Sequence, residues 1–222
     1  LRANHSFSYD TWYRPERNNF GALRVLNDYV VAPGKGFPLH PHDNMEIITL
    51  PIDGELKHQD DMGNEIKIGT GEIQIVSAGK GVKYGEYNLS DNESVNILQL
   101  HIQPKYKDID PRYAQIGYEN EELHNTVKLL IAPEAKGAPL DINQDAFVSL
   151  ARPRADNELE YRLQMPDSNG VYVFLIDGVA QIGGKNMKKR DALAVNDTDH
   201  IKVKADTDCF ILFIEVPMND QE

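Results

Sequence analysis

Short runs of β-favouring residues recur along this chain, and each ends in residues that turn a backbone. Ala22-Leu23-Arg24-Val25-Leu26 alternates and meets Asn27-Asp28. Met45 to Leu50, Glu72 to Val76 and Val95 to Ile102 follow, then Val127 to Ile131, Val171 to Ile176, Ile201 to Lys204 and Phe210 to Val216. Between them stand Asp53-Gly54, Met62-Gly63-Asn64, Gly69 to Gly71, Asp177-Gly178 and Gly183-Gly184. Strands of this length separated by turn residues predict an all-β sandwich or barrel. Helical periodicity is scarce. Asp110-Pro111-Arg112-Tyr113 and Glu119 to Leu123 are each expected to make one short turn of helix.

The pattern carries an echo. Leu50-Pro51-Ile52-Asp53-Gly54 and Phe174-Leu175-Ile176-Asp177-Gly178 both run a strand into an Ile-Asp-Gly turn. Either two related β-barrel units or a chance repeat of a common strand ending accounts for it. With two units, the stretch from Gln103 to Asn125, with Pro104 and Pro111, is the connection. The 222 residues suffice for one domain or two.

Charge and composition narrow the function. Lys plus Arg number 23 against 35 Asp plus Glu, a formal charge of −12. Such a surface argues against direct binding of nucleic acid, where phosphate contacts need clustered cations. Lys188-Lys189-Arg190 is the one basic run and reads as a solvated turn. No stretch approaches the roughly 18 consecutive apolar residues of a membrane span. The first residues, Leu1-Arg2-Ala3-Asn4-His5, show no signal-peptide core and no initiator Met, so further native residues are expected to precede them. The single cysteine, Cys209, excludes an internal disulfide and reads as a buried, inert thiol. A cytoplasmic location is the expectation.

Chemistry concentrates in His40-Pro41-His42-Asp43-Asn44-Met45-Glu46. In an extended chain residues i and i+2 share a side, so His40 and His42 project together. The pair reads either as adjacent metal ligands or as a surface His-Pro-His loop. Downstream, in Gly81-Val82-Lys83-Tyr84-Gly85-Glu86, the side chains of Tyr84 and Glu86 share a face in the same way. Two His and one carboxylate with open positions match the facial set of non-haem iron oxygenases. The plain alternative makes Glu86 a solvated strand residue.

These residues, together with Phe20 to Asp28, His58 to Asn64, Ser77 to Gly81, Gly170 to Phe174 and Lys188 to Ala192, resemble the pirin family of the cupin superfamily. The resemblance implies a bicupin: two β-barrel (double-stranded β-helix, jelly-roll) domains packed face to face. It places an N-terminal cupin domain with the metal site at 1–118 and a C-terminal cupin domain without metal ligands at 119–222. Pirins hold their metal through a His-x-His pair, a third His and a Glu two residues beyond it. His40, His42 and Glu86 match this set, and Tyr84 stands where the third His would be. Three outcomes stay open: metal held by His40, His42 and Glu86 with water, recruitment of His58 or His101, or an empty site. Iron is the first expected ion, with nickel, manganese and zinc as alternatives.

Some pirins resemble quercetin 2,3-dioxygenases, which open a flavonol ring with O2 and release carbon monoxide. The resemblance therefore implies a metal-dependent dioxygenase acting on a flavonol-like or other enolisable aromatic substrate, with Glu86 as catalytic base. The alternative is a non-catalytic binding or regulatory protein with a protein partner and a degenerate or empty metal site. Elsewhere, His58 reads as a structural or supporting histidine and His101 as a wall residue. Offsetting the His pair by the distance between the two Ile-Asp-Gly turns lands on Gln164 and Pro166, so no second pair is expected. Tyr9, Trp12, Tyr13 and Phe20, with Arg14 and Arg17, read as an aromatic lid or core edge rather than a stacking platform.

Overall fold

The computed structural model describes residues 1–9 and 11–218. Among these residues twenty strands form two compact units. One comprises Leu1–Asn19, Leu23–Tyr118 and Ile142–Gln144, and the other Phe20–Ala22, Glu119–Asp141 and Asp145–Glu222.

In the first unit the strands are β1 (Arg2–His5), β2 (Leu23–Val31), β3 (Gly36–His42), β4 (Glu46–Asp53) and β5 (Glu55–Asp60). They continue as β6 (Glu65–Gly69), β7 (Glu72–Ser77), β8 (Val82–Tyr87), β9 (Val95–Ile102) and β10 (Arg112–Gly117). A six-stranded sheet runs β1-β2-β9-β4-β7-β10 and a four-stranded one runs β3-β8-β5-β6. All of their pairings are antiparallel. Side chains join the two sheets: Leu56 and Ile68 of one pack with Tyr29, Val31, Val95 and Ile97 of the other.

The second unit holds β11 (Val127–Ala132), β12 (Leu140–Asp141), β13 (Phe147–Ala151), β14 (Glu158–Arg162) and β15 (Asn169–Asp177). After these come β16 (Val179–Ile182), β17 (Lys185–Lys188), β18 (Ala192–Val195), β19 (His200–Ala205) and β20 (Phe210–Pro217). Its sheets run β12-β11-β13-β20-β15-β18 and β14-β19-β16-β17. The orders β13-β20-β15-β18 and β14-β19-β16-β17 repeat β2-β9-β4-β7 and β3-β8-β5-β6 of the first unit, strand for strand. The Ile-Asp-Gly echo thus occupies one topological position twice, between β4 and β5 and between β15 and β16. Gly54 and Gly178 turn it at φ +85° and +99°, where a side chain is strained.

Several expectations change. The sheets are open: among the described residues no strand pairing joins the six-stranded sheet of a unit to its four-stranded sheet. Packing of side chains, not backbone pairing, closes each cupin, so the expected closed barrels are two-sheet sandwiches. Asn27-Asp28 is mid-strand, not a turn, because Asn27 is buried and its amide reaches the Tyr29 hydroxyl at 2.7 Å. Arg112-Tyr113 opens a strand instead of a helical turn, pairing with Ser77 and Val76. The expected turn at Glu119 to Leu123 is a 3-10 helix over Asn120–Leu123. The counterpart of β3 is β14, so the fixed offset to Gln164 and Pro166 overshoots it; loops of unequal length break the register. The interior of this half of the second unit is apolar, with Leu159, Tyr161, Ile201 and Val203 in its cluster.

One irregularity aims the histidines. On β3, Phe37 pairs with Glu86 and His40 with Tyr84, so three steps on β3 oppose two on β8. This bulge at Pro38-Leu39 reverses the alternation, letting Phe37, His40 and His42 all face inward. It presses the β3 backbone onto Gly85, where a Cβ would stand 2.6 Å from the Phe37 carbonyl oxygen and 2.9 Å from the Leu39 nitrogen. Gly85→Ala is expected to destabilise the protein by about 1–3 kcal/mol through overpacking against backbone that cannot yield, measured as a shift in urea midpoint. An unshifted midpoint would show that the bulge does not depend on Gly85.

Candidate metal centre

Register builds the interior of the first unit in rungs. Asn27 pairs with Gln99, Gln99 with Thr49, Thr49 with Gln74, and Gln74 with Gln115, giving one polar rung across β2, β9, β4, β7 and β10. Beside it on one side lies Tyr29 with Ile97, and on the other Ile47 with Val76. Onto the polar rung from the opposite sheet comes Glu86. Thr49 Oγ1 donates to Glu86 Oε1 at 2.8 Å, Gln74 Nε2 donates to the same oxygen, and Gln99 Nε2 donates to Oε2 at 3.1 Å. Glu86 is wholly buried, and burial pushes its carboxyl up to about 7 against the pull of those three donors. It is not the solvated strand residue of the plain alternative.

Two residues back on the same face, Tyr84 is buried in aromatic company. Its ring stacks on His42 at 5.0 Å and on His58 at 5.4 Å, and lies 5.6 Å from His40. Strand order, β3-β8-β5, puts Tyr84 between the His-Pro-His pair and His58. Burial, helped by the negative charge of Glu86, drives its phenol well above the ordinary tyrosine range. Tyr84 packs as a buried ring between His42 and His58.

His40 and His42 do converge. Their Nε2 atoms stand 2.7 Å apart and their rings 4.5 Å. His40 Nδ1 donates to the Pro38 carbonyl at 2.7 Å, which assigns its proton to Nδ1, so the His40 Nε2 lone pair accepts the His42 Nε2 proton. Burial, then the neighbouring His40, lowers His42 to about 4, so it is a neutral donor at neutral pH. Glu86 is not gathered to them. Among the described residues no three His, Cys, Asp or Glu side chains are placed to hold one ion. The pair still suits a divalent transition metal: an ion that replaced the proton shared by the two Nε2 atoms would meet both, and ligand nitrogens on such an ion stand about 3 Å apart.

His58 is fully buried and bonded through Nε2 to Asp60 at 3.1 Å, a supporting position. His101, on β9, sets its ring 5.7 Å from His42 at 89°, and burial takes it down to about 3. Tyr9 meets the edge of His101 at 6.3 Å, while His5 stacks on Tyr9 and lies 6.0 Å from Trp12. Tyr9 and Trp12 thus form a core edge beside the histidines, whereas Tyr13, Arg14 and Arg17 are exposed. Phe20 belongs to the second unit, against Tyr172. Cys209 is buried, as expected. Sequence reading missed Thr49, Gln74 and Gln99; the available signal was amide and hydroxyl side chains at inward positions of otherwise apolar strands.

Residues 1–102 match the pirin family, and residues 129–216 match the quercetinase C-terminal cupin domain. A protein of Escherichia coli K12 named quercetin 2,3-dioxygenase is 35% identical over 213 residues, spanning 96% of this chain and 90% of that protein. The chain belongs to the pirin family. A pirin-like protein of Caulobacter vibrioides is 35% identical over 97% of this pirin chain and 92% of its own length. The solved structure of the bacterial pirin YhhW from Escherichia coli in complex with nickel(II) has a TM-score of 0.91 and 33% identity, covering 98% of this chain and 92% of that one. No helix among the described residues is long and apolar enough to cross a membrane.

The polar rung yields a stability prediction. Among the described residues Gln99 is the one donor to Glu86 Oε2, so Gln99→Leu leaves a buried carboxylate oxygen unpartnered. A loss of about 1–3 kcal/mol is expected in denaturant unfolding near pH 7; no loss would show that Glu86 does not depend on the rung.

Proposed function

We propose that this chain is a pirin-type dioxygenase that opens an enolisable aromatic ring of flavonol (quercetin-like) type with O2, using one divalent transition metal held by His40 and His42. The observation that carries the reading is the pair of facing Nε2 atoms, 2.7 Å apart, beside the inward face that bears the buried Glu86. The quercetin dioxygenase name and the nickel complex among relatives sharing about a third of their residues support it. When bound, the metal supplies Lewis acidity, polarising a coordinated hydroxyl and lowering its pKa. Glu86 accepts the substrate hydroxyl proton, its carboxyl poised near neutrality by burial. Thr49, Gln74 and Gln99 hold both carboxylate oxygens in place while the proton arrives. Tyr84 and the apolar cluster of Ile47, Val76, Ala78 and Val82 around it keep water from the proton-bearing face.

A second reading, ligand binding without turnover, has one observation in its favour: both Glu86 oxygens already have donors and no third ligand sits with the His pair. One assay separates the two. Protein reconstituted in turn with Fe(II), Ni(II), Mn(II) and Zn(II) is given quercetin under O2, and loss of its visible band is followed. Turnover is expected with at least one ion. Glu86→Gln should lower kcat by about 10²–10⁴-fold with metal content unchanged. Metal-loaded protein that consumes no quercetin with any of the four ions favours binding without turnover.

A further inference from the structure

His101 has no role in the account above, and its surroundings make that conspicuous. It stands on β9 with Ile47 and Val25 as its register partners, an imidazole in an apolar rung. It is 6% exposed, and its buried Nε2 has no hydrogen-bond partner among the described residues. A buried polar atom left without a partner is costly, so a nitrogen kept in this state points to a ligand. The ring lies 5.7 Å from His42 and perpendicular to it, reaching across from the six-stranded sheet to the four-stranded one.

The other candidates for a third donor are occupied or turned away from the pair. Tyr84 lies flat against His42 as a buried ring. Glu86 accepts hydrogen bonds on both oxygens. His58 gives its Nε2 to Asp60 and, like His101, keeps a nitrogen, Nδ1, without a partner among the described residues, but the Tyr84 ring stacks between it and His42. What remains near the facing nitrogens of His40 and His42 is the orphaned Nε2 of His101.

We propose that His101 is the third imidazole donor of the metal centre, completing with His40 and His42 an all-histidine set that spans the two sheets of the first unit. The inference rests on the metal-binding reading of the His pair. As the side chains stand no three donors share one point, so binding requires His42 or His101 to turn about its own side-chain torsions. Three neutral ligands leave the ion its full double charge and leave Glu86 outside the ligand set, available as a base. The arrangement selects a mid-to-late first-row ion, for which imidazole is a favoured donor.

The test counts imidazoles directly. Full-length protein stripped of metal is loaded with one equivalent of Cu(II), and pulsed electron paramagnetic resonance reads the modulation from the remote nitrogens of bound imidazoles. Three are expected in the parent protein and two in His101→Phe, with Cu(II) affinity at least tenfold weaker by chelator competition. Tyr84→Phe should keep three. Circular dichroism and the melting midpoint establish that each variant is folded, and His101→Gln serves if His101→Phe is not. An unchanged count in the folded His101 variant overturns the assignment and leaves the His40–His42 metal reading standing. Failure of the parent protein to bind one equivalent overturns both.

Discussion

The architecture of the first unit turns on where one carboxylate is buried. Glu86 loses all contact with water and recovers hydrogen bonds from Thr49, Gln74 and Gln99, three residues on three neighbouring strands. Burying a charge or an acid without partners is costly, so the two sheets are held to the one alignment that sets Glu86 on its rung. A slip of one residue in β8 would turn Glu86 outward and Lys83, now exposed, inward. The neighbouring rungs are apolar, and they could slide; the polar one cannot. The carboxylate therefore specifies the sandwich more than it stabilises it.

From that alignment the rest of the site follows. With Glu86 fixed, Tyr84 falls between His42 and His58, and the bulge opposite Gly85 carries His40 and His42 onto the same inner face. The Pro38 carbonyl then sets which nitrogen of His40 carries the proton, and the other faces His42. Each step depends on backbone geometry that is ordinary in itself. Their combination places neutral nitrogen donors and a proton-accepting carboxylate on one wall, the separation of acid–base from ligand roles that oxygen chemistry on an enolisable substrate requires.

The two units show how one topology hosts different interiors. Their core strand orders coincide, yet the strands equivalent to β3 and β8 bring Leu159, Tyr161, Ile201 and Val203 into an apolar cluster. A buried carboxylate also occurs in the second unit, but Glu215 is satisfied by the Tyr161 hydroxyl and the backbone nitrogens of Gln164 and Met165, with no histidine near it among those contacts. The fold supplies inward-facing positions; the residue types at those positions decide whether they carry chemistry or only packing.

Much of this was legible in the chain. Alternating strands, Ile-Asp-Gly turns at equivalent places, and a His-x-His pair with Glu86 downstream determined an all-β repeat and a nitrogen-rich site, because period-two patterning assigns faces before any partner is known. The pirin resemblance rested on those same residues. Tertiary structure alone decided the polar rung, since Gln74 and Gln99 read as ordinary strand residues until register sets them on either side of Thr49. It also decided that Asn27-Asp28 continues a strand and that the sheets stay open. And it alone brought His101 to His42: they are 59 positions apart (101 − 42) on strands of different sheets. Local periodicity says which way a side chain points, but only packing across the sandwich says what it meets.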